Sequence, residues 1–528
     1  MSGATPSGVV LRSDLTEALA AHDARLFDLA TRYLGAGAYE DEGFVPSADA
    51  LADLRREAEA ALASLARAHV PPAQRAVASH LEECGRWLLV SVDDDLDYPV
   101  NPLRAWIAAI QQRLNPVDPS DDPEGRSRFL VARLSRAGAY LGALVDGASS
   151  VPAAHLEHCR RRLDPFLADL DRAEPKLASL PEGAALRAAL ASARAAVVAC
   201  RERLDALMAA PREVALRRGY DEVVRDKFGF DLDDVRSWCD ADLAEVREQL
   251  AASIGGHGPE ALRRMFATQL TPYRDTATLR ADAVEALRRA RSVAQERVAL
   301  PEGERLTLDD VPDTDRDKLP FGAYSGGRVL RGDLRGRWLV NMQNLRGLHR
   351  GWIWMMALHE GYPGHHAHYV KTAANHDLPH TFRLPGYGPG QGLVEGVAHR
   401  SEGYLETFDD LRSLWPMVHY RRLQGLLRIK TQLMISVERA PLDEVATTYT
   451  GELGMDDATA RSLVRSQTMN PGRTFSYYTG MRTLRLAQRR LGADDAAFTE
   501  AIFGNGFVSL ATMGALLERR FGRAIEAP

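Results

Sequence analysis

From the N-terminus to about residue 300, apolar side chains recur every three to four positions, the period that lets a helix bury one face. Ser13 is placed to cap a helix that runs to Tyr33 and stops at Gly35, and Ser47 opens a second, Ala- and Leu-rich helix that ends before Pro71-Pro72. The same period predicts helices near 73–91, 102–113, 153–172, 185–209, 241–254 and 276–298, several of them opened or closed by proline. No unit of about 20–50 residues repeats, which excludes a solenoid. Asp118, Asp121, Asp122 and Glu124 alternate with Pro116, Pro119 and Pro123, an acidity that a solvated surface loop accounts for.

After residue 300 the texture changes. Gly322, Gly326, Gly327, Gly332 and Gly336 separate short apolar runs over 320–341, where β-structure is expected, with Trp338-Leu339-Val340-Asn341 as its last strand. Asp313-Thr314-Asp315-Arg316-Asp317 starts like a calcium loop, but Lys318 replaces the glycine and Tyr324 the closing glutamate, so an EF-hand is excluded. The loop Gly386-Tyr387-Gly388-Pro389-Gly390-Gln391-Gly392 is not a dinucleotide fingerprint, because Gln391 stands where the third glycine belongs. The expected fold is therefore mainly α, a large bundle-like helical body with a small β element. Residues 1–300 form a helical N-terminal lobe and 301–528 a lobe that carries the chemistry.

Charge and cysteine content narrow the function classes. A net charge of −6 over 528 residues argues against nucleic acid or an anionic membrane as partner. The chain lacks an uncharged apolar run of about 18 residues, so no transmembrane helix is expected. The first residues lack the basic-then-apolar order of a signal peptide. Cys84, Cys159, Cys200 and Cys239 are scattered and form no Cys-x-x-Cys pair, which is the usage of reduced core thiols in a cytoplasmic protein. Nothing in the sequence sets the oligomeric state.

The stretch Met355-Met356-Ala357-Leu358-His359-Glu360-Gly361-Tyr362-Pro363-Gly364-His365-His366 concentrates three imidazoles and a carboxylate, the ligand types of zinc. The common zinc-hydrolase pattern is H-E-x-x-H on one helix, with the glutamate as general base. Here Pro363 occupies the fourth position after His359. On an unbroken helix His359 and His366 would lie about 10.5 Å apart along the axis, too far to share an ion. Pro363, however, opens the helix at the carbonyl of His359, and Gly364 tolerates the bulge. Looping out these two residues puts His365 where the second histidine of the regular pattern would fall, with His366 as the fallback. A third ligand is expected downstream in Leu393-Val394-Glu395-Gly396-Val397-Ala398-His399-Arg400-Ser401-Glu402. Glu395 and Glu402 share a helix face two turns apart, so one could bind metal while the other orients a histidine. His399, His368, His376 and His380 read as structural or rim residues.

These residues carry a resemblance. The motif H-E-x-x-P-G-H-H (359–366), the motif E-G-x-A-x-x-x-E (395–402) and the run Pro471-Gly472-Arg473-Thr474-Phe475-Ser476-Tyr477-Tyr478-Thr479-Gly480 resemble the bacterial family called domain of unknown function 885. That family is similar in layout to helical His-Glu-type zinc peptidases, the angiotensin-converting enzyme and carboxypeptidase Taq groups. The resemblance implies a helical zinc-peptidase fold, a bound Zn2+ and peptide-bond hydrolysis on a small peptide or amide substrate. It implies Glu395 as third ligand beside His359 and His365, Glu360 as base, and Tyr477 as oxyanion donor, with its neighbour Tyr478 the alternative. Arg473 and Arg482 would suit a substrate carboxylate. The sequence departs from the family at Val397, His399-Arg400, Arg473 and Tyr478, positions that leave the ligands intact and change the pocket wall. A non-catalytic zinc- or peptide-binding protein and a hydrolase of a specialised non-peptide amide are the alternative readings.

Overall fold

The computed structural model describes residues 9–114, 122–177, 180–210, 217–268, 272–312, 316, 319, 321–384 and 388–525. The helical period is realised over most of them. In chain order the first helices are α1 (Glu17–Leu34), α2 (Ala48–Leu65), α3 (Arg75–Asp97), α4 (Val100–Leu114), α5 (Pro123–Ser135), α6 (Ala137–Asp146), α7 (Ala153–Leu177), α8 (Gly183–Ala209) and the short α9 (Tyr220–Glu222). They continue as α10 (Leu232–Ile254), α11 (Gly258–Thr268), α12 (Thr276–Gln295), α13 (Arg350–Met356), α14 (His365–Ala374) and α15 (Gln391–Glu402). The last are α16 (Pro416–Ser436), α17 (Leu442–Leu453), α18 (Asp457–Met469), α19 (Phe475–Leu491), α20 (Asp495–Gly504) and α21 (Leu510–Phe521). Ser47 caps α2 by accepting from the Ala50 N–H, as expected. Ser13 instead lies in a separate 3₁₀ turn (Arg12–Asp14) ahead of α1. The acidic-proline stretch is partly a helix start: Asp122 caps α5 by accepting from Gly125 N–H, and Pro123 takes the first helical position. Asp118 and Asp121, the residues Asp313–Asp315 and Asp317, and Gly386-Tyr387 lie outside the described residues.

The chain divides into two compact units, one of residues 1–23, 68–84 and 224–528, the other of 24–67 and 85–223. The change of texture at residue 300 thus falls inside the first unit. In the second unit α8 packs on α5, α6 and α7. Its buried stripe, Leu186, Leu190, Ala193, Val197, Cys200 and Leu204, has helical spacing. Among the described helices α8 is long and apolar enough to cross a membrane by length and composition. Trp106 stacks on Tyr140 at 4.9 Å and meets Phe166 edge-on at 5.5 Å. All four cysteines of the chain are buried free thiols.

The first unit holds the sheet. β1 (Arg305–Asp310), β2 (Gly322–Gly326) and β3 (Arg335–Val340) form three strands in the order β1-β3-β2. β1 runs parallel to β3 in register Arg305↔Arg335, and β2 runs antiparallel with Tyr324 opposite Trp338. The expected β element is thus present, joined by β1, which the sequence reading missed. Alternation along β3 buries Gly336, Trp338 and Val340.

Helix α15 packs closely on α19, and two glycines permit it. A Cβ at Gly480 would stand 2.2 Å from the Gly392 carbonyl oxygen and 2.8 Å from the Gly396 Cα, and one at Gly396 would stand 2.6 Å from the Gly480 carbonyl carbon. Backbone atoms cannot rotate away as a side chain can. Gly480→Ala is therefore expected to cost about 1–3 kcal/mol through overpacking, read as a lower urea midpoint. Gly451→Ala is the control: it sits on α17 with nothing within 4 Å of the added methyl. That change should be neutral or stabilise by about 0.5–1 kcal/mol. Equal midpoints for the two variants would refute the close-approach argument.

Candidate metal centre

The helix carrying the His-Glu pair breaks where proline demands. After α13 the backbone makes a π turn over Ala357–Gly361, which carries His359 and Glu360. Residues 362–364 are irregular, and α14 starts at His365. A Cβ at Gly364 would stand 1.9 Å from the His359 carbonyl oxygen, so glycine is required for the chain to fold back this tightly. The result brings the His359 and His365 rings to 4.9 Å, edge to face.

His366 faces elsewhere. Fully buried, it pairs through Nε2 with Glu304 Oε2 at 2.8 Å, and its Nδ1 lies 3.2 Å from the Tyr324 hydroxyl. The Tyr362 hydroxyl donates to the same Glu304 carboxylate at 2.6 Å, and Arg291 donates from the other side at 2.6 Å. Burial pushes Glu304 up, and the bonds from His366, Tyr362 and Arg291 outweigh it, holding the carboxyl at about 2. Both nitrogens of His366 are engaged, whereas His365 Nδ1 has no hydrogen-bond partner among the described residues and its Nε2 lies 3.7 Å from Glu395 Oε2.

On α15, Glu395, His399 and Glu402 fall at i, i+4 and i+7, one face of the helix. Glu402 Oε1 lies 2.8 Å from His359 Nδ1. With Glu402 as carboxylate, Nδ1–H donates, and the His359 Nε2 lone pair is left for the cluster. Two groups of three residues bring their donor atoms within 4.8 Å of one another: His359, Glu360 and His365, and His359, Glu395 and His399. The expected set His359, His365 and Glu395 is itself neither of these groups: His359 is shared by both, and His365 Nε2 and Glu395 Oε2 stand 3.7 Å apart across them. His399 is nearer the cluster than a rim residue: its ring lies 5.0 Å from His359, and its nitrogens stand 3.5 Å from Glu402 Oε2 and 3.4 Å from Arg421 Nη2. The Glu395-x-x-x-His399 spacing was the available signal for it. By contrast, His368 is a core residue, bonded to the Gly506 carbonyl at 3.0 Å.

Burial sets the electrostatics. It pulls His359 well below the usual imidazole range, aided by Arg421, and His365 down to about 3 against the pull of Glu395, so both rings are uncharged at neutral pH. Burial and the neighbouring Glu395 push the Glu360 carboxyl up to about 8, and burial holds Glu402 at about 7 against Arg421. Glu360 Oε2 accepts the Tyr324 backbone N–H at 3.0 Å, while Oε1 lies 4.0 Å from His359 Nε2. Strand β2 therefore fixes the carboxylate, a role for Tyr324 that no motif announced.

The adjacent tyrosines separate. Tyr477 reaches the cluster, its ring 5.3 Å from His399 and under the Arg428 guanidinium at 5.5 Å. Tyr478 is buried on another face, stacked on Trp238 at 6.1 Å and donating to Asp242 at 3.0 Å. The expectation of Tyr478 as a second catalytic candidate is corrected accordingly: its hydroxyl is committed to α10. Arg482 also donates to Asp242, at 2.8 Å, which removes it as a carboxylate binder.

Fold and cluster together define a mainly α-helical protein with a buried His/Glu set of metal-ligand type. The chain belongs to the family described as "Bacterial protein of unknown function (DUF885)", which it matches over residues 30–517. No curated protein sequence matches it. Solved structures share the fold, two of them as follows. "The crystal structure of the putative lipoprotein from Colwellia psychrerythraea" superposes with a TM-score of 0.78 at 14% identity, covering 97% of this chain and 100% of that one. A putative lipoprotein of unknown function from Shewanella oneidensis superposes with a TM-score of 0.68 at 17% identity, covering 94% and 98%. The cytoplasmic placement expected from the cysteines and the first residues is overturned by these neighbours, each described as a "putative lipoprotein". Reduced buried thiols follow from burial in any compartment, so they carried no address.

Proposed function

We propose that the chain is a zinc-dependent hydrolase that cleaves a peptide or related amide bond with water. The observation that carries this reading is the meeting at His359 of two donor groups, Glu360 with His365 and Glu395 with His399, linked by the 3.7 Å approach of His365 to Glu395, with Glu360 held by a backbone N–H. The donor set suits zinc. Both imidazoles are uncharged, and their cluster-facing nitrogens stand 4.0 and 3.7 Å from carboxylate oxygens instead of hydrogen-bonding to them. Neighbouring ligands of one tetrahedral zinc lie roughly 3.4 Å apart at bonds of ~2.1 Å. Glu402 on His359 Nδ1 supplies the outer partner that orients such a ligand. The likeness of the motifs to helical His-Glu-type zinc peptidases supports the same reading.

Zinc in such a set supplies Lewis acidity to a carbonyl oxygen and to a water molecule. The chain's own groups do the rest. Glu360 Oε1 takes the proton released as water adds to the amide carbon, and returns it to the departing nitrogen as the C–N bond breaks. Tyr477, whose hydroxyl makes no hydrogen bond among the described residues, donates to the carbonyl oxygen as charge develops there. Elemental analysis of the purified chain should find about one zinc per molecule, and short peptides with free and blocked ends should supply a cleaved amide. Zinc bound without hydrolysis of any amide would favour a binding protein, and absence of zinc after reconstitution would end the proposal.

A further inference from the structure

Helix α16 carries Arg421 and Arg428, seven residues apart and therefore on nearly the same face. Arg421 is fully engaged: it donates to Gln424 at 2.6 Å and approaches Glu402 Oε1 and His399 Nε2 at 3.4 Å each. Arg428 differs. Its guanidinium lies over the Tyr477 ring and makes no hydrogen bond or ion pair among the described residues. Burial lowers its pKa, Arg421 acts in the same direction, and Glu395, Glu402 and His399 all feel its charge or impose theirs on it.

Structural arginines in this protein look otherwise. Arg126 donates to the carbonyls of Arg113 and Leu114, and Arg133 to those of Gly35 and Glu40. Arg428 is half-buried, and its guanidinium has a ring face beside it but no protein acceptor among the described residues, so its N–H groups remain open to an incoming one. Stacking also occupies the planar face of the group and leaves its N–H edge for an in-plane acceptor. The acceptor that fits a fork of N–H donors is a carboxylate.

We propose that Arg428 is the anchor for a substrate carboxylate, which makes the substrate class short peptides or acylated amino acids with an anionic group beside the scissile amide. This rests on the hydrolase reading for the bond that is cut, but not for the anchor itself. The carboxylate is either the chain end or an acidic side chain, and one experiment separates the two. Calorimetric titration of the zinc-loaded full chain carrying Glu360→Gln, which holds probes intact, uses acetyl-Ala-Ala-Gln and acetyl-Ala-Ala-Glu, each with a free or an amidated C-terminus. At least one carboxylate-bearing probe should bind roughly tenfold to a hundredfold tighter than the neutral amide. Tight binding of the free-ended Gln probe marks the chain end, and that of the amidated Glu probe marks the side chain. Adding Arg428→Gln should abolish the preference, and Arg428→Lys should recover part of it. Equal binding of all four probes overturns the anchor, as does binding by none or a preference that survives unchanged in Arg428→Gln at parental melting temperature. Carboxylate-dependent binding by a parent chain that cleaves neither these probes nor any peptide with free or blocked ends would retire the hydrolase reading and leave the anchor standing.

Discussion

Glu360→Gln is expected to keep its zinc and its fold while turnover falls by roughly 10²–10⁴, the range for loss of a general base. The substitution preserves size, and its amide oxygen can still accept the Tyr324 N–H that holds the carboxylate at 3.0 Å. It removes the lone pairs that take a proton from water. It also removes a carboxyl that burial and Glu395 disfavour as an anion, so the metal-free variant should melt no lower than the parent. The measurements are kcat on a peptide cleaved by the parent, zinc per chain, and melting temperature with and without chelator. A kcat near that of the parent would remove Glu360 from the reaction and send the search for a base to other carboxylates of the cluster.

The helices and the heart of the cluster were legible because their signals are local. Proline at position 363 and glycine at 364 dictate the break, and the 1.9 Å approach to the His359 carbonyl shows why no other residue type serves at 364. Glu395 and Glu402 share a face by helical spacing alone. What was not legible arrives from distant sequence. Glu304 on the way into β1 engages His366, and the Tyr324 N–H on β2 fixes Glu360. Neither has a pattern that points to its partner, His366 for Glu304, 62 residues on, and Glu360 for Tyr324, 36 residues on. The phase of Tyr477 against Tyr478 could not be read either, since it is set by the Gly396–Gly480 contact and by Asp242, 236 residues away from Tyr478. Arg421 and Arg428 did leave a trace, two charges seven apart on one helix, the first buried among apolar residues and the second half-buried. Cellular address left none that could be trusted, because burial makes cysteines inert wherever the protein resides.

The two adjacent histidines offer the sharpest contrast, since replacing each should damage a different property. In the proposed centre, His365→Ala removes one of three direct ligands. Loss of groups that merely orient ligands weakens metal binding by about 10–100-fold, so loss of a ligand itself should cost more, and most of the zinc should be gone after dialysis. The fold should tolerate the change, because among the described residues His365 Nδ1 has no partner to strand. His366→Ala should do the reverse. His366 is fully buried against Glu304, and its removal leaves that carboxylate with Tyr362 and Arg291 alone and a cavity where the ring stood. The lost charge-assisted bond and the cavity together predict about 2–4 kcal/mol of destabilisation, with zinc content near that of the parent at temperatures where the chain stays folded. Elemental analysis and urea unfolding on both variants decide the matter. If His366→Ala loses the metal and His365→Ala keeps it, the second ligand is His366, and the bulge at Pro363-Gly364 does not place His365 as the geometry requires.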